Sequence, residues 1–211
     1  GSLIVVDLKS FEIVDTVSVG GSARRVIVNR ASTFAYVVGG IRSQRQIHAV
    51  DLETFDVVAE TPETDGLSDM LLVEGESLMV AAADSRMVLF SPGDLAKIDD
   101  YEPSPDFSEA EMDIIPGGTR VLVRGTGRQS SNASLMFDWT SGESQIIPPS
   151  TDNIFSTVAV LDASTTFAVR SSDNEAVLLD TTEPLQVTVV PLNLGVKAND
   201  LGLSPDRQQL Y

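Results

Sequence analysis

The chain contains no cysteine and a single histidine, His48. The first absence excludes disulfides, thiolate metal sites and cysteine nucleophiles. The second excludes His-rich metal centres and Cys–His dyads. A Ser-His-Asp triad would have to use His48, and no G-x-S-x-G elbow is present. The phosphate-loop pattern G-x-x-x-x-G-K-[ST] and the D-x-[DN]-x-[DN]-G calcium loop are also missing. No apolar run approaches the ~20 residues of a membrane span. No signal peptide is visible, but the chain starts Gly1-Ser2-Leu3, which says nothing about a natural precursor.

Basic residues are scarce as well: 14 against 31 acids, a formal net charge of -17. A surface that acidic repels nucleic acid and anionic lipid at long range, so neither is an expected partner. Basic proteins, cations and neutral ligands remain, as does solubility alone as the reason for the charge. The 42% of hydrophobic residues suffices for a sizeable core in a chain of 211.

What is present is a repeat. Residues Ile4-Val5-Val6-Asp7-Leu8-Lys9-Ser10-Phe11-Glu12-Ile13-Val14 match His48-Ala49-Val50-Asp51-Leu52-Glu53-Thr54-Phe55-Asp56-Val57-Val58 at an offset of 44. Each reads as strand, polar turn, strand. Relatives follow at Leu135–Gly142 and Val177–Pro184, and Met87–Asp94 is a looser copy with Ser91 where the others carry Asp. A second unit alternates with the first: an apolar strand, a short turn of small or acidic residues, another strand. It occurs at Val26–Val38, Met70–Ala81, Met112–Val123, Val158–Val169 and Leu201–Tyr211. Each repeat thus holds four strands of about five residues joined by Gly, Pro, Asp, Asn and Ser turns. No stretch sustains a helical period. Four short antiparallel strands per ~40–45 residues predicts an all-β fold of β-propeller type, with four-stranded antiparallel blades in about five repeats.

The second unit resembles the YVTN-type (WD40-like) propeller repeat. Leu203-Ser204-Pro205-Asp206-Arg207-Gln208-Gln209-Leu210-Tyr211 looks like that family's strand-turn-strand segment, and Val5-Val6-Asp7-Leu8 and Ala49-Val50-Asp51-Leu52 look like its other half. The sequence departs from the pattern around Asp94, in the turn Pro116-Gly117-Gly118, and at Gly39 or Gly40, where the usual asparagine is missing. The resemblance implies a propeller and no particular activity, because propellers host many functions.

The repeat places blades at roughly 20–63, 64–104, 105–150 and 151–193 of a single domain spanning 1–211, with 1–19 and 194–211 as half-blades. Two expectations follow. The half-blades pair and close a five-bladed ring, or the chain is a segment of a larger propeller with further blades elsewhere. The abrupt end at Tyr211 favours the second.

Among residues that could carry chemistry, His48 aligns with Ile4 and is expected to pack. In the densest acidic stretch, Asp99 to Asp113, Pro103 and Pro105 mark an inter-blade loop over Tyr101 to Ser108, which reads as solvated rather than as a site for a hard cation. Asn132-Ala133-Ser134 is a glycosylation sequon, meaningful only in a eukaryotic secretory setting. Arg124-Gly125-Thr126-Gly127-Arg128 holds G-x-G without a third glycine, in a strand-to-strand loop, and is a very weak phosphate-loop match.

The arginines form the most suggestive pattern. The loops between second and third strands, which share one face of a propeller, contain Arg42, Arg45, Arg86, Arg124, Arg128 and Arg170, six of the eleven arginines. Asp7, Glu53, Glu74, Glu76, Asp94, Glu143, Asp162 and Glu183 fall on the opposite face. Two readings stand side by side. The arginine face meets a protein or other anionic, carboxylate-bearing ligand, or the arginines pair with inter-blade acids such as Glu63, Asp65 and Asp152.

The expected function is therefore a non-catalytic binding or scaffolding module without catalytic residues, metal or cofactor, placed outside the cytoplasm. One alternative is a propeller enzyme of lactonase or cofactor-dependent dehydrogenase type using Glu109, Arg24 and Arg25. The other is a structural subunit of a surface array or filament.

Overall fold

The computed structural model describes residues 1–103, 110–125, 134–147, 155–162, 164–170, 176–181, 186–190, 201, 204 and 209; side chains within 155–157, 167–170, 176–177 and 186–190 are left aside except for Thr188. The chain divides into two compact units, Gly1–Glu102 and Pro103–Tyr211.

In the first unit, β1 (Ser2–Val6) and β2 (Ile13–Ser18) form a two-stranded sheet. β3 (Arg25–Val28), β4 (Phe34–Ile41), β5 (Gln44–Asp51) and β6 (Val57–Glu60) form a four-stranded sheet in chain order. So do β7 (Asp69–Val73), β8 (Leu78–Ala83), β9 (Arg86–Phe90) and β10 (Lys97–Tyr101), with one 3₁₀ turn at Glu74–Glu76. In the second unit, β11 (Ala110–Ile114), β12 (Arg120–Gly125), β13 (Ser134–Asp138) and β14 (Ser144–Ile146) make one such sheet. β15 (Phe155–Val160), β16 (Thr165–Arg170), β17 (Ala176–Asp180) and β18 (Gln186–Val190) make another. All pairings between strands are antiparallel. These are the four-stranded blades expected of a propeller.

The middle strands explain why a single blade is not enough. On β4, Ala35 and Val37 point to one face and Tyr36 and Val38 to the other, and all four are buried. Ala35 and Val37 join Val17, Val19 and Val50 in a cluster with β2. Tyr36 and Val38 join Ile47, Met70, Met79 and Phe90 in a cluster with the next sheet. A strand buried on both faces reads as a continuous apolar run rather than an alternation, as Phe34–Val38 and Leu78–Ala83 do. In the second unit Leu122 and Met136 pack with Leu179 and Val158 of the neighbouring sheet. The last strands of the sheets carry the charge: Lys97, Asp99 and Asp100 on β10, Glu60 on β6, which discourages edge-to-edge pairing.

First strands lie side by side, β3 against β7 and β11 against β15. Arg25 Nε meets Asp69 Oδ1 at 3.0 Å across the first of these pairs.

The turn between third and fourth strands repeats atom for atom. The carbonyl of its first residue accepts the N–H four residues on, from Phe11 to Asp7, Phe55 to Asp51, Leu95 to Ser91 and Gly142 to Asp138, at 2.8–2.9 Å. The residue that donates has positive φ each time: 59° at Phe11, 61° at Phe55, 54° at Leu95, 73° at Gly142. Asp7, Asp51 and Asp138 tie down the turn by accepting the N–H groups two and three residues on. The N–H groups of Ser10 and Lys9 hold the Asp7 carboxyl below its ordinary value. The looser copy turns out to use the same turn. The Asp94 carboxylate bonds to the Ser91 hydroxyl, which lowers its pKa, and accepts the Ala96 N–H.

Glycine is the usual occupant of a left-handed position, and a side chain there costs ~1–2 kcal/mol. Leu95, 1% exposed, recovers that by packing into the core, and Phe55 packs against the cluster around Val17. Phe11 does not: it is 79% exposed. It stands with Leu8, Ile13 and Ile4 on an apolar face of the β1–β2 sheet that is open. The expected completion of this sheet by 194–211 lies outside the described residues, save that Ser204 N–H donates to the Gln209 carbonyl at 2.9 Å.

The missing asparagine has a steric explanation. The segment after β2 runs along β4, with Ser22 N–H donating to the Gly40 carbonyl and Arg24 N–H to the Val38 carbonyl. A β-carbon on Gly39 would collide with the Val19 backbone carbonyl oxygen, and Gly40 has φ of 113°. Neither position accommodates a larger residue.

Two outcomes test this account. In urea denaturation, Phe11→Gly should stabilise slightly, by less than about 1 kcal/mol, whereas Leu95→Gly should cost about 2–4 kcal/mol. Gly39→Ala should cost about 1–3 kcal/mol through overpacking against backbone; a neutral result would mean that the approach of Val19 is not a constraint.

Candidate binding face

Antiparallel order puts the β4–β5 turn, the β8–β9 turn and the crossing segment 61–68 at one end of the first unit. That segment is pinned to the β4–β5 hairpin. Gly66 N–H donates to the Arg42 carbonyl at 3.0 Å and Thr64 N–H to the Arg45 carbonyl at 2.8 Å.

The candidate arginines separate into different environments. Arg42 sits at the tip of the β4–β5 turn with its side chain 57% exposed, and its Nη2 lies 3.7 Å from Asp84 Oδ2 on the β8–β9 turn. Arg86 opens β9, 36% exposed, with Nη1 3.0 Å from Asp100 Oδ2. Arg45 was expected in a loop but lies within β5, 6% exposed, and its Nη1 donates to the Leu67 carbonyl at 2.7 Å. Its guanidinium braces the crossing segment. Arg124, also expected in a loop, lies in β12 and is buried between Glu111 at 3.0 Å and Asp113 at 3.1 Å. Both strands run further than the turn residues suggest, because β4–β5 and β12 stay paired out to these positions. Arg170 ends β16. Arg128 lies outside the described residues, as do Asp152, Glu109 and the sequon's Asn132 and Ala133.

Two partners escaped the sequence reading. Lys97 Nζ lies 3.2 Å from the same Asp100 Oδ2 that Arg86 meets. Asp100 pairs with Val88, two residues from Arg86, because the register shifts between Lys97 and Asp99; a regular register drawn from the Ser91 turn would have set Asp99 there instead. Between this cluster and Pro62–Thr64 lies a cavity of about 200 Å³ with Val88 and Phe90 on its wall.

At the other end of each sheet, described by itself, the acids largely build turns. Asp162 accepts the Ser164 hydroxyl and the N–H groups of Ser164 and Thr165, and these bonds hold it below its ordinary value. Burial pushes Asp138 up, but bonds from the Thr119 and Thr140 hydroxyls and the Ser141 and Thr140 N–H groups outweigh it, and its pKa is lowered. Glu76 reaches the Arg30 N–H.

His48 is 5% exposed, as its alignment with an apolar position predicts, and its Nδ1 lies 2.8 Å from Glu60 Oε1 on the neighbouring strand. Of the residues expected in an enzyme, Arg25 is engaged by the buried Asp69. Arg24 and Arg25 border a second cavity of about 310 Å³ between β1 and β3, walled mainly by Leu3, Ile4, Val26 and Val37. Among the described residues no group of three or more metal-ligating side chains converges, and no helix is long and apolar enough to cross a membrane.

No family model and no curated protein matches the chain. Solved structures do. The chain is similar to hydrazine synthase of Kuenenia stuttgartiensis, with TM-score 0.78 and 16% identity over all of this chain and 66% of that one. It is similar to a chain of the mitotic checkpoint complex, with TM-score 0.76 and 11% identity over 100% and 64%. It also resembles a functionally unknown protein from Desulfotomaculum acetoxidans, with TM-score 0.73 and 16% identity over 100% and 68%. The chain thus spans about two thirds of the length of each. At these identities the likeness establishes the fold, an all-β propeller type.

The two classes of arginine should respond differently to substitution. Arg124→Met strands two carboxylates and should cost about 1–3 kcal/mol in chemical denaturation. Arg42→Gln should cost less than about 1 kcal/mol, as expected of an exposed pair. Equal costs would contradict the division.

Proposed function

We propose that this chain is a non-catalytic binding or scaffolding module of propeller type, kin to the YVTN-type repeat proteins. In this reading it engages a carboxylate-bearing protein or other anionic ligand at the end of the first unit that carries Arg42 and Arg86. The observation behind it is their placement. Two part-exposed guanidinium groups stand at the same hairpin end of successive sheets, Arg42 in the β4–β5 turn and Arg86 on the first residue of β9, each ion-paired with a carboxylate, Asp84 and Asp100. A planar fork already held in place loses less entropy on meeting a second carboxylate. The net charge of -17 does not forbid this. Charges more than about 8 Å apart are largely screened at physiological salt, so the local arrangement decides.

The repeat resemblance supports a place outside the cytoplasm, and the greater length of the structural relatives supports further blades in a larger assembly. The enzyme reading draws no comparable support from the described residues, because Arg25 is occupied in an inter-sheet pair.

The test is a fluorescence-anisotropy screen of an acidic peptide library against a matched library with Asn and Gln in place of Asp and Glu. The intact chain should select acidic sequences, with binding that weakens as salt rises, and Arg42→Gln/Arg86→Gln should reduce affinity at least tenfold. Selection unchanged by that double substitution would refute the arginine face.

A further inference from the structure

We infer that the free edge of β1, with the cavity between it and β3, receives an extended, uncharged apolar strand of a partner polypeptide, paired antiparallel with β1. This surface uses neither Arg42 nor Arg86 and stands independently of the carboxylate reading.

β1 belongs to a sheet of two strands, where each of the other sheets has four. One edge of β1 pairs with β2, and the other has no strand along it among the described residues. That edge is undefended. Ser2-Leu3-Ile4-Val5-Val6 carries no charge and no proline, the usual devices that keep an exposed edge from pairing. Beside it lies the cavity of about 310 Å³, lined by Leu3 and Ile4 of β1, Val26 of β3 and Val37 of β4. Leu3 and Val37 also take part in the packing between β1–β2 and β4–β5, so the cavity continues an interface already formed. Of the two arginines on the wall, Arg25 is held by Asp69 and Arg24 is not free, so the cavity calls for an apolar group and not for an anion.

The repeat identifies what fits. Shifted by 44 residues, Leu3 and Val5 correspond to Ile47 and Ala49 of β5, and Val26 and Val37 to Met70 and Ala81 of β7 and β8. Those four counterparts are buried in one cluster, which they share with Tyr36 and Val38 of β4. β4 pairs antiparallel with β5, Tyr36 opposite Ala49 and Val38 opposite Ile47. Among the described residues no strand takes the corresponding place beside β1. The consequence shows on β3: Met70 is fully buried, whereas its counterpart Val26 is 48% exposed. A strand set on β1 in the same register would carry the side chains opposite Val5 and Leu3 over Val26 and Val37. The occupant therefore has the chemistry of Phe34–Val38: aromatic or β-branched residues facing inward, no charge, and a backbone that extends the ladder.

A second copy of the chain fits less well. Its own β1 edge comes with β4 and β5 packed against the same face, and pairing edge to edge would drive that layer into this copy's β3 and β4. A bare strand brings no such layer.

The experiment is calorimetric titration of the intact chain with a peptide copying residues 33–40, capped at both ends and made soluble by a polyethylene glycol tail. It should bind, and those β1 amides that exchange freely in the unbound chain should exchange at least tenfold more slowly in the complex. Serine at the two inward positions, the tyrosine and the second valine, should weaken binding at least tenfold. Serine at the intervening alanine and first valine should weaken it less than threefold. A strand has two edges, so N-methylation of one alternate set of amides should abolish binding while methylation of the other set leaves it within threefold. Val26→Asp, a change at a half-exposed side chain, should lower affinity at least tenfold with the circular-dichroism spectrum unchanged. Val58→Asp, at a similarly exposed side chain on β6, should not. Equal effects of the two methylation sets, or of the two aspartate variants, would mean apolar adhesion without strand pairing and overturn the inference. So would an absence of peptide binding, or a dimer of the chain that the peptide does not displace.

Discussion

A sheet of four short strands has two apolar faces and is only one layer thick, so it cannot shield either face by itself. The rest of this structure follows from that constraint. Val37 and Val38 are neighbours in sequence, point to opposite faces of the same sheet, and are both buried, one toward β2 and the other toward β7–β10. At roughly 25 cal/mol per Å² of apolar surface, the stabilisation comes from sheet meeting sheet rather than from the pairing within each blade. Hydrogen bonds fix the register, and face-to-face packing makes that register worth keeping. The β1–β2 sheet shows the rule by exception. Its inner side is covered through Val17 and Val19, while Ile4, Leu8, Phe11 and Ile13 on the open side keep the exposure that their counterparts elsewhere lose.

Stacking of this kind separates the roles of the two ends of each blade. Turns between third and fourth strands are structural, and they repeat because the same geometry must recur at each blade. Their acids are consumed by backbone N–H groups, as at Asp7, Asp51 and Asp138. In the first unit the turns between second and third strands are two residues long, 42–43 and 84–85. Arg42 and Arg86 are available there because Asp84 and Asp100 orient them without burying them. Two arginines at neighbouring positions show the opposite outcome. Arg45 is spent on the Leu67 carbonyl and Arg124 on two carboxylates.

The repeat was legible because its markers are local. An Asp four residues before a left-handed position, or an apolar pentad followed by a small-residue turn, needs no knowledge of distant contacts. Even the substitution at Ser91 preserves the turn by moving the carboxylate to Asp94. What could not be read locally was which arginine faces water. Arg42 and Arg45 are three residues apart and chemically identical, yet one is largely exposed and the other buried. The difference arises from the crossing segment 61–68, whose Leu67 carbonyl takes the Arg45 guanidinium, whereas it meets Arg42 through the backbone carbonyl and the Arg42 side chain stays 57% exposed. Nothing in residues 42–45 encodes the position of a segment some twenty residues further along. The pairing of Lys97 with Asp100 was hidden for the related reason that a bulge between Lys97 and Asp99 breaks the simple alternation of β10.

That bulge gives the cavity its chemistry. With strict alternation, Lys97 and Asp99 would share a face and Asp100 would turn away. The irregularity instead puts Lys97 opposite Phe90 and Asp100 opposite Val88, both on the side of Arg86. A bulge near the edge of a sheet re-aims side chains at the expense of a regular ladder. Here it gathers Arg86, Lys97 and Asp100 onto the apolar wall formed by Val88 and Phe90, leaving Asp100 Oδ1 buried without a donor among the described residues. Packing alone would favour an apolar residue at that position over a carboxylate whose second oxygen is unsatisfied. What the carboxylate does instead is hold two cations at once, Arg86 at 3.0 Å and Lys97 at 3.2 Å, and so set the direction of both at this end of the sheet.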